Sequence, residues 1–176
     1  MLVSAGSDGA VYSWSVRELK RESEHILKNC NYTCAVASSD GKTVWAVGSD
    51  RILKEISDSV VTREIDYAIN LSQIIMSNSG RMMFAATQSG TLRSLKFPLP
   101  SDGSEFAEHQ AHTGSISKLR LSYDDQYLFS AGEDGCLYVY KVTDKEDRAT
   151  GKKERIMVIS EEVRRVLGVI FLSTRH

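Results

Sequence analysis

A twelve-residue segment that recurs four times without gaps limits this chain's fold more than any other feature. The copies occupy residues 3–14 (VSAGSDGAVYSW), 45–56 (WAVGSDRILKEI), 84–95 (FAATQSGTLRSL) and 129–140 (FSAGEDGCLYVY). Each begins with an apolar and then a small residue. Each turns at its middle, alternates, and closes on a large apolar residue. The closing residues Trp14, Ile56, Leu95 and Tyr140 recur at intervals of 42, 39 and 45 residues. Such a period marks repeated supersecondary units that bury their apolar faces against one another.

Turn chemistry supplies the strands. Asp8-Gly9, Ser89-Gly90 and Asp134-Gly135 are tight-turn pairs between strand-forming runs, which predicts a hairpin in each copy. A further turn precedes each later hairpin: Ser39-Asp40-Gly41, Asn78-Ser79-Gly80 and Tyr123-Asp124-Asp125. Apolar strands lead into these turns at 33–38, 71–77 and 116–122. Strands following the hairpins are expected at 25–28, 60–65, 104–108 and 155–159. No long amphipathic helix is predicted, and the two prolines, Pro98 and Pro100, share one linker and leave the strands uninterrupted. The expectation is an all-β chain of four-stranded antiparallel units at 30–66, 67–108 and 109–160. Residues 1–29 supply only the outer strands of a partial unit. Residues 161–176 form a tail, helical or disordered, with 161–167 as the stretch where a helix would begin.

The last unit carries a family resemblance. Its Ala111-His112-Thr113-Gly114 resembles the Gly-His start of a WD repeat, with Ala for Gly. Its Ser130-Ala131-Gly132-Glu133-Asp134-Gly135 resembles the Ser-Gly-x-x-Asp-Gly hairpin, and Tyr140-Lys141 stands where the family has Trp-Asp. The resemblance implies a WD40-type β-propeller fragment of about three and a half blades. Closed rings hold typically 4–8 blades, so the chain is expected to be part of a longer protein, with open end faces that favour self-association.

His112, Ser130 and Asp134 are the residue types of a nucleophilic triad. In WD repeats the same types, with the aromatic at Tyr140, form a buried hydrogen-bonded set, and that structural role is the one expected here. Ser4, Asp8 and Trp14 repeat three of the four positions in the first unit, which a unique active site would not do. Ala46 and Ala85 replace the serine in the middle units, and only Asp50 keeps the aspartate. Those two units are expected to be held by apolar packing and to be less rigid. Tyr12, Trp45, Phe84, Tyr127 and Tyr138 fall at strand spacing and are expected to be core or blade-packing residues rather than ligand stackers. No catalytic, cofactor-binding or metal-binding residue is assigned.

Composition narrows the partners. The net charge is −1, from 22 Lys+Arg and 23 Asp+Glu, so no broad field favours nucleic acid or an anionic membrane. The basic cluster Lys152, Lys153 and Arg155 is diluted by Glu146, Asp147 and Glu154 and is expected to be a solvated loop. Three cysteines, Cys30, Cys34 and Cys136, argue for a reducing, intracellular compartment. Cys30 and Cys34 have no second Cys or His pair at zinc-finger spacing. The start shows no signal peptide, and the aliphatic stretch at 166–172 is too short to span a bilayer.

The stretches Ile26-Leu27-Lys28-Asn29-Cys30, Leu53-Lys54-Glu55-Ile56, Gly90-Thr91-Leu92-Arg93, Pro98-Leu99-Pro100 and Glu133-Asp134-Gly135-Cys136-Leu137 add a narrower resemblance. They look like the end of the WD-repeat region in the cilia- and flagella-associated protein 57 family. That resemblance implies a non-enzymatic axonemal scaffold with protein partners among axonemal and dynein-associated components. Its role would be to place inner dynein arms and support motility in the cilium or flagellum. The family continues into a long coiled coil after its propellers, which this chain lacks. A second class is a substrate-receptor or adaptor subunit of a ubiquitin ligase, because Trp14-Ser15-Val16-Arg17 resembles the Trp-Asp-x-Arg docking box.

Overall fold

The alternating runs become strands and the turn pairs become hairpins. A computed structural model of the chain describes residues 1–146 and 155–165, with side chains through residue 142. Fifteen strands and no helix occur among the described residues. The first sheet holds β1 (Leu2–Ala5), β2 (Ala10–Ser15) and β3 (Lys20–Ile26). The second holds β4 (Tyr32–Ala37), β5 (Thr43–Gly48), β6 (Ile52–Ser57) and β7 (Val60–Asp66). The third holds β8 (Leu71–Met76), β9 (Met82–Thr87), β10 (Thr91–Lys96) and β11 (Phe106–Gln110). The fourth holds β12 (Ile116–Leu121), β13 (Tyr127–Gly132), β14 (Leu137–Glu146) and β15 (Arg155–Arg165). Every sheet runs in sequence order with antiparallel neighbours, the all-β blade architecture of a propeller fragment.

Side-chain alternation explains how the sheets stack. In β5, Val44 and Ala46 face the first sheet, while Trp45 and Val47 face the third. In β9, Met83 and Ala85 face the second sheet, while Met82, Phe84 and Ala86 face the fourth. Successive side chains point to opposite faces, so a strand covered on both sides must be apolar throughout. The Trp-Ala-Val and Phe-Ala-Ala runs are that pattern. In β13 one face is uncovered: Leu128 and Ser130 are buried, whereas Tyr127 is exposed. Tyr127 is therefore not a core residue, because its side of the strand meets no described sheet. Trp45 and Phe84 are buried as expected, each contributing about 1.5–3 kcal/mol through burial.

The inner strands β4, β8 and β12 are tied across sheets. Thr33 Oγ1 donates to Leu71 O (3.4 Å), Cys34 Sγ to Ile74 O (3.4 Å), and Ser72 Oγ to Ile116 O (2.6 Å). At one rim Asp125 accepts from Asn78 N and Ser79 N, both at 2.8 Å.

The expected tail is corrected in part. β15 continues to Arg165, with Val139 paired to Arg164 and Tyr138 to Arg165. The start of β14 thus offers this segment a backbone ladder that a helix beginning at 161 would forgo. The rest of the tail, 166–176, and the loop residues Lys152 and Lys153 lie outside the described residues.

Candidate functional site

The connection from β11 to β12 delivers His112 to its place. Gly90 closes the β9–β10 hairpin with φ +87°, and its carbonyl accepts the N–H of His112 at 2.9 Å. A Cβ at Gly90 would stand 2.3 Å from His112 O, so only glycine lets the connection pass this close. Gln110 Nε2 donates to the same His112 carbonyl at 2.7 Å. The imidazole then enters the interior of the fourth sheet and is buried.

Ser130 on β13 and Asp134 in the β13–β14 turn meet it there. His112 Nδ1 lies 2.9 Å from Asp134 Oδ1, and Nε2 lies 2.8 Å from Ser130 Oγ. An ionised carboxylate only accepts, so Nδ1–H donates to it, while Nε2 and the Ser130 hydroxyl share the second hydrogen bond. Asp134 also accepts Cys136 N (3.0 Å) and Thr113 N (3.2 Å). The His112 hydrogen bond, aided by these two N–H groups and opposed by burial, lowers the Asp134 carboxyl to about 2. Tyr140 is buried beside them; burial pushes its phenol up, and a hydrogen bond with Ser130 works against that push. The ring lying against His112 is that of Tyr138, edge-on at 4.7 Å. All four residues singled out in this unit therefore meet. Their connectivity is that of a triad, yet Ser130 is fully buried, so no substrate carbonyl has a path to its hydroxyl. What the arrangement does is bind the incoming connection to two strands and a turn.

The first sheet repeats part of this. Trp14 Nε1 donates to Ser4 Oγ at 3.0 Å, and Asp8 Oδ1 accepts Ala10 N at 3.1 Å. Asp8 makes a local turn bond and does not join the Ser4–Trp14 pair in any described contact.

The middle sheets differ from the expectation of purely apolar packing. In the second, Lys54 is fully buried, ion-paired with Asp50, 3.8 Å from Cys30 Sγ and 5.4 Å from the centre of the Tyr32 ring. Cys30 abuts Gly48 as His112 abuts Gly132: an added Cβ would fall 2.5 Å from the sulfur and 2.4 Å from Nδ1. Burial raises the Cys30 thiol, with Lys54 pulling the other way. Burial also raises Asp50, but the Lys54 hydrogen bond and charge outweigh it and its carboxyl is lowered. In the third sheet, Arg93 pairs with Glu108 (2.9 Å), donates to Tyr67 O (3.3 Å) and lies 4.1 Å over the Phe106 ring. Thr87 joins Ser89 and Thr91 at 2.9 and 2.8 Å.

Lys54 and Arg93 were missed by sequence reasoning although the repeat contains their signal. Both occupy its tenth column, with Tyr12 and Tyr138. A long side chain at the same inward position of each hairpin is a packing position, whatever its charge. Cys30 and Cys34 lie on opposite sides of the second sheet, facing the first and third sheets. Among the described residues, no three His, Cys, Asp or Glu side chains stand together as a metal set.

Among the described residues, cavities lie beside these sheets. One, about 480 Å³, opens between the first and second sheets beside Ser13, Ser23 and His25. Another, about 260 Å³, crosses the inner strands β4, β8 and β12.

Residues 103–141, from the approach to β11 into β14, match the family model for the WD domain, G-beta repeat. Mouse cilia- and flagella-associated protein 57 is 50% identical over 163 residues, which covers 92% of this chain and 13% of that protein. Cilia- and flagella-associated protein 57 C of Tetrahymena thermophila is 29% identical over 180 residues, covering 92% of this chain and 14% of its own length. Human cilia- and flagella-associated protein 52 is 26% identical over 141 residues, covering 79% and 22%. The chain thus spans a small part of the curated relatives it matches. With four sequential antiparallel sheets, a matched repeat and this similarity, the chain belongs to the WD-repeat family and is similar along 92% of its length to cilia- and flagella-associated protein 57.

Proposed function

We propose that this chain is a non-catalytic protein-binding scaffold of the cilium or flagellum, where it helps to position inner dynein arms and so supports motility. The observation that carries this reading is the 50% identity to mouse cilia- and flagella-associated protein 57 across 92% of the chain. The burial of His112 and Ser130 supports it, because the polar set most like a catalytic triad is used inside the sheet. Purified alone, the chain also associates with itself, since Leu2 and Ile26 of the first sheet and Val16 and Leu19 in its β2–β3 turn are exposed.

The test is a fluorescent fusion of the chain in a ciliated cell depleted of its own relative. Signal along the axoneme, co-purification with axonemal proteins and retention after detergent extraction are the expected results. A diffuse cytoplasmic signal with the fusion intact would remove the ciliary assignment. Co-purification with a ubiquitin-ligase adaptor, lost on Arg17→Ala, would put the docking-box alternative in its place.

A further inference from the structure

The second sheet holds a thiol, an amine and a carboxylate in mutual contact. Lys54 Nζ, fully buried, points at Cys30 Sγ from 3.8 Å. Both groups also reach Asp50, which is ion-paired with Lys54 and accepts a hydrogen bond from the Cys30 thiol. The Tyr32 ring lies 5.4 Å from Nζ. A Cβ added at Gly48 would fall 2.5 Å from the sulfur, so the thiol has little room to turn away. Asp50 is partly exposed and connects the buried pair to solvent. The other two sulfurs meet backbone carbonyls instead: Cys34 faces Ile74 O at 3.4 Å and Cys136 faces Asp134 O at 3.8 Å.

A thiol is a weak acceptor, so the Lys54–Cys30 contact adds little to the fold. It does place a nitrogen nucleophile just outside the near-attack distance of about 3–3.5 Å from the atom that oxidation makes electrophilic. We propose that Cys30 and Lys54 form a reversible covalent sulfur–nitrogen link when the chain meets a hydroperoxide. In the first step the sulfur attacks the peroxide. An S–O bond forms, the O–O bond breaks, and the leaving hydroxide departs as water with the thiol proton. Sulfur loses two electrons and the peroxide oxygens gain them. In the second step Lys54 passes a proton to Asp50, and its freed electron pair attacks the sulfur of the sulfenic acid. The N–S bond forms, the S–O bond breaks, and hydroxide leaves as water with the proton that Asp50 holds. The remaining excess proton on nitrogen goes to solvent through Asp50. Burial raises the Cys30 thiol, which slows the first step; what distinguishes the site is the trap that follows. Cys30 lies on the connection between β3 and β4, and Lys54 lies on β6. The link therefore fastens the passage between the first two sheets to a strand of the second. It requires no partner and stands apart from the scaffold reading.

The test treats the whole reduced chain with hydrogen peroxide, digests it with trypsin without reductant and reads the peptides by mass spectrometry. The expected product joins the peptide holding Cys30 to the one holding Lys54 and is lighter than their sum by two hydrogens. Fragmentation places the bond on Cys30 rather than Cys34, and dithiothreitol releases both peptides. Oxidation also raises the thermal midpoint of the parent reversibly, because the link constrains the unfolded chain. Cys30→Ser shows neither the link nor the rise. Lys54→Arg keeps a cation beside Asp50 without the amine, so its Cys30 runs on to the sulfinic acid. The parent's own peptides carry the result even if a variant fails to fold. Recovery of Cys30 from the peroxide-treated parent as a free thiol or as unlinked sulfinic acid would overturn the proposal. So would the same cross-linked mass from Cys30→Ser.

Discussion

Removing the His112 ring tests whether it holds the fourth sheet together. His112→Ala deletes the bonds at 2.9 and 2.8 Å to Asp134 and Ser130. Each such bond contributes about 1 kcal/mol net, and a buried polar group left short of a partner costs about 1–3 kcal/mol. The expected loss is about 3 kcal/mol, or roughly 5–10 °C in melting temperature for a chain of this size. That loss alone does not show that the ring is held where the structure puts it. Gly132→Ala does. An added Cβ would stand 2.4 Å from His112 Nδ1 and 2.7 Å from Cγ, and the remaining close atom is Asp134 Oδ1 at 2.9 Å. All three belong to side chains, so the cost is crowding, about 1–3 kcal/mol. Once the ring is gone most of the clash goes with it, and Gly132→Ala should then cost well under about 1 kcal/mol. Urea unfolding of the parent, both single variants and the double variant, followed by tryptophan fluorescence, gives the coupling directly. Strictly additive costs would refute the placement of the ring. An ester hydrolysis present in the parent and lost in a folded His112→Ala variant would refute its structural role.

Three further predictions concern charge and association. Asp134 is held at about 2, below its ordinary value near 3.9, so its contribution is fully present above about pH 4 and disappears as pH falls through about 2. Across that window the urea midpoint of the parent should drop further than that of Asp134→Asn, and the gap between the two should stay constant above about pH 5. In the second sheet, Asp50→Ala should be more damaging than Lys54→Met: it strands a fully buried ammonium, at about 3–5 kcal/mol, whereas the half-buried Asp50 can turn to water. Equal losses in chemical denaturation would mean that Lys54 reaches solvent. The purified chain should sediment as oligomers at micromolar concentration, because its end sheets expose large apolar residues; a monodisperse, cooperatively melting monomer would count against this.

Much of the fold is legible because the repeat fixes register. The twelve-residue alignment places each hairpin, and β2, β6, β10 and β14 begin where its turns end. The fourth-sheet set is legible too, since residue types and spacing name it before any geometry does. The polar contents of the middle sheets are not. Reading Ala46 and Ala85 as lost serines correctly identifies what is missing at the second column. It says nothing of what fills the space, because Cys30 arrives from the preceding connection, and Arg93 finds Tyr67 O on the connection between the second and third sheets. Sequence spacing carries no record of such contacts between sheets. The strand from 155 to 165 was read short for a related reason: residues beyond 160 pair with Val139 and Tyr138 at the start of β14, past a register shift that sequence spacing does not record.

The four tenth-column residues show how one backbone position can be served by different chemistry. Tyr12 and Tyr138 occupy it in the two end sheets, and Lys54 and Arg93 in the two sheets covered on both faces. A cation is costly to bury, yet here each charged head has both a carboxylate and an aromatic ring: Asp50 and Tyr32 for Lys54, Glu108 and Phe106 for Arg93. The tyrosines offer comparable bulk with a polar tip. The shared requirement is a long side chain with a polar end that packs beneath the hairpin. A position filled so interchangeably serves shape, and the same holds for the His112 set, whose counterpart in the second sheet is a cysteine beside a lysine. Any selectivity for partners therefore has to come from side chains that these internal ties do not consume.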